Sequence, residues 1–403
     1  MRLADVRAAL PALAAGIYLN TGTCGPLPAE VAAVMTQMQE YELAVGRGHV
    51  DGFTEFLARM EEARATVAAL VTGDPDDIAL THSVTEGVNA AINGLDWEPG
   101  DGAAVTTSEH IGGSGPLFNQ RLRRGIDLRL VDIGDGADAG AVVAAYAAAI
   151  DDRTKAIVVS HVTWSLGAVL PVRAIADVAH DHGALVVVDG AQAAGAIPID
   201  LAALGADVYA IPGQKWLLGP EGTGAVAVTA AARERIAPSF GGFLTYQQPI
   251  GPDGPIPWET ARRYEPTGWN RPCLVGFARS VGWLSMFVGL PWIYERGTRM
   301  AAWAHDRLSS IDGVTVVTPR HAMSTLVAFR VAGWTAEQVK DELGARVFAV
   351  LRTIPGFDVV RISVGFFNSE EELERLARCV EVLAAHTPET VPERRSLTIL
   401  GEG

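Results

Sequence analysis

The sequence predicts an α/β fold, with a mostly parallel central sheet carrying helices on both faces and a smaller α+β domain after it. Three observations predict it. Strand-like apolar runs alternate with helical stretches through the first two thirds of the chain, the pattern of strands joined by helical crossovers. One run, Ala184-Leu185-Val186-Val187-Val188, is apolar without interruption, as a parallel strand covered on both faces should be. After about Ser280 the pattern changes to long amphipathic helices flanking short strands.

In chain order, strands are expected at 78–81, 103–106, 128–131, 156–159 and 184–188, where short β-branched or apolar runs end in turn residues. Helices are expected at 87–93, 140–150 and 172–181, where apolar residues recur at helical spacing. Beyond 280, helices at 292–310 and 370–385 flank strands at 314–317 and 326–329. This divides the chain into a large domain, 16–280, and a small C-terminal domain, 281–403, with residues 1–15 packing on the small one. The Gly- and Pro-rich stretch 249–257 reads as a long surface loop able to shape the mouth of a site.

With 403 residues, 49% of them hydrophobic, the chain can bury a large core. A formal net charge of −15 argues against nucleic acid, which selects a basic footprint, and against an anionic membrane surface. No apolar run reaches the roughly 18 residues of a membrane span. The first residues include Asp5 and Pro11, unlike a secretory signal. The three cysteines, Cys24, Cys273 and Cys379, make neither a disulfide framework nor a metal-binding spacing. A soluble cytoplasmic enzyme without a metal is expected.

Only three lysines occur, and Lys215 sits among apolar and small residues before the glycine-rich turn Gly219-Pro220-Glu221-Gly222-Thr223-Gly224. Upstream, Asp189 ends the buried run at the sheet edge where open α/β sheets bind ligands. An amine that joins an aldehyde and a carboxylate that keeps a pyridinium nitrogen protonated are the two requirements of pyridoxal 5′-phosphate chemistry. Asp189-Gly190-Ala191-Gln192, Gln214-Lys215-Trp216 and Gly222-Thr223-Gly224 together resemble the class V aminotransferase family of fold type I pyridoxal-phosphate enzymes. That family includes cysteine desulfurases, cystine and cysteine carbon–sulfur lyases and isopenicillin N epimerase. The likeness runs from about Tyr18 to about Leu383.

The resemblance implies further roles. Val84 and Thr85, in Ser83-Val84-Thr85-Glu86-Gly87, match the phosphate cradle, although a plain helix cap by Ser83 or Thr85 reads the same way. His110, in the Glu109-His110 pair, matches the aromatic stacked on the cofactor ring. Gln192 belongs to the cofactor-binding set. Gln214 stands where the family commonly has histidine beside the lysine, so it can donate a hydrogen bond but carry no charge. Trp164 replaces the asparagine of cysteine desulfurases, as in the carbon–sulfur lyase branch, unless it merely packs a core. Arg361 matches the residue gripping the substrate α-carboxylate. Arg352, in Leu351-Arg352-Thr353-Ile354, resembles a second arginine of the lyase branch; a surface ion pair is its alternative. Asn20, in the Asn-Thr-Gly segment, is a further candidate for substrate binding. Thr267 falls, one position displaced, where the family sends a loop into a neighbouring subunit, which implies a homodimer with shared sites.

Cysteine desulfurases carry a nucleophilic cysteine in the loop before the carboxylate-binding arginine, and here residues 354–360 hold none. Cys24 is a lesser candidate near the substrate entrance, and Cys379 reads as packed in a helix. The expected reaction is therefore β-elimination from an S-substituted L-cysteine or cystine, with Lys215 moving the Cα proton and Asp189 maintaining the electron sink. Cα epimerisation like that of isopenicillin N epimerase, decarboxylation, deamination and transamination are the alternatives on the same scaffold. A homologue acting only as a binding protein belongs to a different class, and the intact Asp189, Lys215, His110 and Arg361 argue against it.

Overall fold

In a computed structural model that describes residues 2–394, these residues form a seven-stranded, a four-stranded and a two-stranded sheet. The large sheet contains β1 (Ile78–Thr81), β2 (Gly102–Thr106), β3 (Asp127–Val131), β4 (Thr154–Ser160), β5 (Leu185–Asp189), β6 (Val208–Pro212) and β7 (Gly224–Val228). Their spatial order is β1-β7-β6-β5-β4-β2-β3. From β3 to β6 all neighbours are parallel, and only β7 is reversed, antiparallel to both β6 and β1.

The uninterrupted apolar character of the central strands follows from their two covered faces. Alternate residues enter different cores: Ile157, Val159, Val186, Val188, Tyr209 and Ile211 point into one. Ala156, Val158, Leu185, Val187, Val208 and Ala210 point into the other. Register then places Asp189 beside Ser160 at the C-terminal edge of the sheet. The small domain is antiparallel, with β8 (Val314–Val316), β9 (Leu326–Val331), β10 (Arg352–Ile354) and β11 (Val359–Ser363) in the order β10-β11-β9-β8. Helices Leu290–Ser309, Ala336–Val347 and Glu370–Ala384 cover it around their own core.

The boundary between the two cores differs from the sequence reading. Ile17–Tyr18, expected in the large domain, pairs in parallel with Ala349–Val350, and Ile17 and Leu19 sit in the small-domain core. Helix Leu3–Ala8, expected against the small domain, buries Val6 in the large core, while Arg7 crosses to Glu372 at 2.7 Å. A two-residue strand is too short for a period-two pattern to reveal it. The expected break at 280 falls inside a nearly continuous helical run, Arg271–Gly282, Trp283–Val288 and Leu290–Ser309, whose Val281, Leu284, Val288 and Ile293 all enter the large core. Among the described residues no single helix is long and apolar enough to cross a membrane.

Candidate active site

A cleft of ≈ 200 Å³ opens at the C-terminal ends of the parallel strands, between the two domains. It brings together His110, Trp164, Asp189, Gln192, Gln214, Lys215, Arg352 and Arg361 with Ser83, Val84 and Thr85. Asp189 ends β5, buried, and its Oδ1 accepts the Ala191 N–H at 2.8 Å. Lys215 follows β6 on a tight turn that returns the chain toward β7. In that turn Gly213 donates to the Thr223 carbonyl and Gly219 to the Gly213 carbonyl, both at 2.8 Å. A Cβ on Gly213 would lie 2.1 Å from Thr223 Oγ1, so only glycine fits there. Loss of water around the ammonium pushes the Lys215 pKa down to about 8; Asp189 opposes this, and Arg361 and Arg352 reinforce it.

Helix Val84–Gly94 begins earlier than the expected 87, with Ser83 as its cap, accepting the Glu86 N–H at 3.1 Å. Val84 and Thr85 thus occupy its first turn, where N–H groups have no acceptor within the helix and the helix dipole favours an anion. The cap is Ser83 and not Thr85, and a capped helix start of this kind is compatible with an anion at Val84 and Thr85. Across the cleft His110 caps helix Ile111–Arg124, its Nδ1 accepting the Gly112 N–H at 3.1 Å. That bond leaves the ring proton to Nε2. Burial, then the Lys215 charge, lowers the His110 pKa. Trp164 meets His110 edge-on, centroids 5.3 Å apart, and its indole N–H donates to the Ser108 carbonyl at 2.9 Å.

Arg361, on β11, is 0% exposed, and one Nη donates to the Trp164 carbonyl. Its Nε and other Nη have no acceptor among the described residues although both are buried. Leaving such donors unmatched is costly unless a ligand completes them. Arg352 lies 5.9 Å from the Trp164 ring centroid and donates to Thr23 Oγ1 at 3.2 Å. It carries no ion pair among the described residues, so the surface-pair alternative does not hold. Gly22 closes the floor, where a Cβ would come within 2.8 Å of Arg361 Nη2.

Other expected features of the site are placed as follows. Asn20 does not line the cleft; its Oδ1 accepts the Thr23 hydroxyl at 2.8 Å, so Thr23 is the residue presented. Thr267 is exposed and outside the cleft of this chain, because its loop turns outward beside the stacked His82 and Trp269 rings. The 249–257 loop contributes nothing to the lining, since its ends pair with each other through Tyr246 and Pro257. Gln192 lines the cleft, yet its amide is engaged, donating to the Gly22 carbonyl at 2.9 Å and accepting the Trp216 indole N–H at 3.0 Å. Cys24 lies outside the lining, its thiol donating to Glu221 at 3.2 Å and its pKa raised to about 11 by burial and then by that carboxylate. Sequence reasoning gave no role to Thr23 or to Glu109, whose carboxyl lies behind His110.

Pyridoxal phosphate fits this donor set. A cation-holding carboxylate, an amine of depressed pKa, an aromatic wall and an open helix turn surround one cavity. Of the residues lining the cleft, Gln214 Oε1, Arg361 Nε and Arg361 Nη2 are buried polar atoms with no partner among the described residues. Among the described residues no group of acids, histidines or cysteines could hold a metal ion.

The comparisons agree with that geometry. Residues 17–376 match the family model "Aminotransferase class-V". A probable cysteine desulfurase of Methanothermobacter thermautotrophicus is 29% identical over 95% of this chain and 98% of its own. The isopenicillin N epimerase of Amycolatopsis lactamdurans is 30% identical over 91% of this chain and 94% of its own. The cystine C-S lyase C-DES, solved with its reaction product cysteine persulfide, superimposes with a TM-score of 0.87 at 27% identity, over 92% of this chain and 99% of that one. With the fold, the lysine–aspartate pair and the family match in agreement, the chain belongs to the class V aminotransferases, fold type I enzymes that work with pyridoxal 5′-phosphate.

Proposed function

We propose that the protein is a carbon–sulfur lyase that releases a thiol or persulfide from an S-substituted L-cysteine or a cystine-like amino acid by β-elimination. One observation carries the reading: two guanidinium groups, and no thiol, line the cleft opposite Lys215. Arg361 binds the α-carboxylate through its unmatched donors. Arg352, beside Trp164, receives a second acidic or polar group on the departing arm. Bound pyridoxal phosphate supplies an electron sink for bonds breaking at Cα. Lys215 Nζ takes the Cα proton, a task suited to a base near pH 8. Asp189 holds the proton on the ring nitrogen, and Trp164 with His110 walls out water. The β-sulfur leaves, and 2-aminoacrylate hydrolyses to pyruvate and ammonia.

Sulfur capture by a cysteine has little support. Loop residues 354–360 contain no thiol, and burial pushes Cys379 up to about 11. A thiol held protonated is a poor nucleophile. Likeness to the isopenicillin N epimerases favours a second reading, Cα inversion, with His110 as the other proton carrier in the cleft. Incubation of the purified enzyme with cystine and a panel of S-substituted L-cysteines separates the two. Pyruvate in equal amount with thiol, or with cysteine persulfide when cystine is the substrate, is expected, whereas chiral inversion without pyruvate would point to the epimerase.

We also infer a homodimer in the cytoplasm. Thr267 is exposed at the end of an outward loop, next to apolar side chains that a second copy would cover.

A further inference from the structure

Behind His110, the carboxyl group of Glu109 receives three donors. Its Oε1 accepts the His110 N–H at 2.9 Å and the Ser160 hydroxyl at 2.5 Å, and its Oε2 accepts the Ser160 N–H at 2.9 Å. Ser160 is the last residue of β4 and the register partner of Asp189 on β5. The next N–H along, His161, donates to the Asp189 carbonyl at 3.0 Å. Glu109 thus ties the ring-facing histidine to the strand end that carries the ring-facing aspartate. The helix packs tightly against it, since a Cβ on Gly113 would lie 3.3 Å from Glu109 Cγ.

We propose that Glu109 is a positioning residue for this site: it fixes the backbone of His110 and Ser160 and places a second negative charge behind Asp189, strengthening that residue's hold on the cationic ring nitrogen. The inference rests on the family's cofactor and not on the carbon–sulfur lyase reading.

Two effects compete over the charge of Glu109. Burial and repulsion from Asp189 push its pKa up to about 7, while the three donors favour the anion. The titratable groups facing it are Asp189 from β5, Tyr146 from helix Ala139–Ala149, and His110, the next residue in the chain. Tyr146 is held neutral by burial and can carry no positive charge, and burial lowers the His110 pKa, so neither compensates a Glu109 charge near neutrality. A cation bound to Asp189 on the cleft side is the charge that would hold Glu109 ionised.

The test is the pH midpoint of the visible absorption of the purified holoprotein, read with its circular dichroism. In Glu109→Gln one negative charge is removed with little change of shape. Protonated forms of the bound cofactor then lose stabilisation, and the midpoint should fall by about one pH unit. Glu109→Asp, which keeps the charge, should recover part of the shift. Ser160→Ala removes one donor, favours the neutral acid, and should move the midpoint the same way by less; it stands in if Glu109→Gln does not fold. A folded Glu109→Gln or Ser160→Ala protein with an unmoved midpoint overturns the proposal. So does Glu109→Asp shifting as far as Glu109→Gln. None of these outcomes bears on which bond of the substrate breaks.

Discussion

An amine holds its proton less firmly when its charged form loses water, and for Lys215 the nearby Asp189 only partly offsets that loss. Lys340 is the contrast: its hydrogen bond to Glu337 holds its pKa above the ordinary value. At neutral pH a lysine near 8 has roughly a few hundredfold more free amine than an ordinary one. Reductive methylation of cofactor-free protein by formaldehyde at pH 7, followed by peptide mapping, should therefore modify Lys215 before Lys155 or Lys340. Equal rates at all three would remove the basis for its role as the base. Linkage has a definite sign here. The folded pKa lies below the unfolded one, so the unfolded chain binds the extra proton between about pH 8 and 10.5. This group's penalty is complete below pH 8 and disappears as pH rises through that window. Lys215 and Asp189 were legible in the sequence because their residue types conflict with their apolar surroundings. Thr23 and Glu109 were not, because their partners Arg352 and Ser160 are distant in the chain and meet them only once the strands are registered.

At the scale of elements, Ser83 caps the first turn of helix Val84–Gly94, whose free N–H groups favour an anion, and we propose this helix end as the phosphate site. Replacing Ser83 by alanine removes a cap and should cost about 1 kcal/mol of stability. Loss of an equivalent cap elsewhere provides the control. Thr335 caps helix Ala336–Val347 in the small domain with a full capping box and lies outside the cleft. Thr335→Ala should lower the melting temperature by a similar amount and leave pyridoxal phosphate affinity unchanged, whereas Ser83→Ala should weaken both. Equal affinity in the two variants would mean that Ser83 serves only the helix. The strands β4 and β5 could be read from composition because two covered faces demand unbroken apolar runs. Helices Ala29–Val45 and Val50–Leu70 were not expected from the sequence, although Val50–Leu70 carries a buried stripe at Phe56, Met60, Ala63 and Val67, and both pack against helix Arg271–Gly282.

For the whole molecule, the two-core plan was visible in the change of pattern near 280, but the boundary was not, because one helical run serves both cores. Elsewhere, helix Val50–Leu70 and the turn at Phe243 leave apolar surface uncovered. Val50 is 77% exposed, Phe243 56% and Phe53 39%, and the rings of Phe53 and Phe243 touch edge-on at 6.0 Å. Clustered exposure of this kind is an interface signature, whereas scattered exposure is ordinary. Gly242, next to Phe243, packs against the Pro266 backbone, which places this patch beside the Thr267 loop. A second copy seated here would bring its own loop to the first copy's cleft by twofold symmetry. Phe243→Glu puts a charge at the middle of that contact without touching either core. Light scattering should give twice the chain mass for the natural protein and the single-chain mass for the variant, with unchanged circular dichroism. The monomer should also retain pyridoxal phosphate less well, because the loop completing each site would be lost with the partner. If Phe243→Glu stays dimeric, the copies meet elsewhere and Thr267 loses its proposed place in the partner's site.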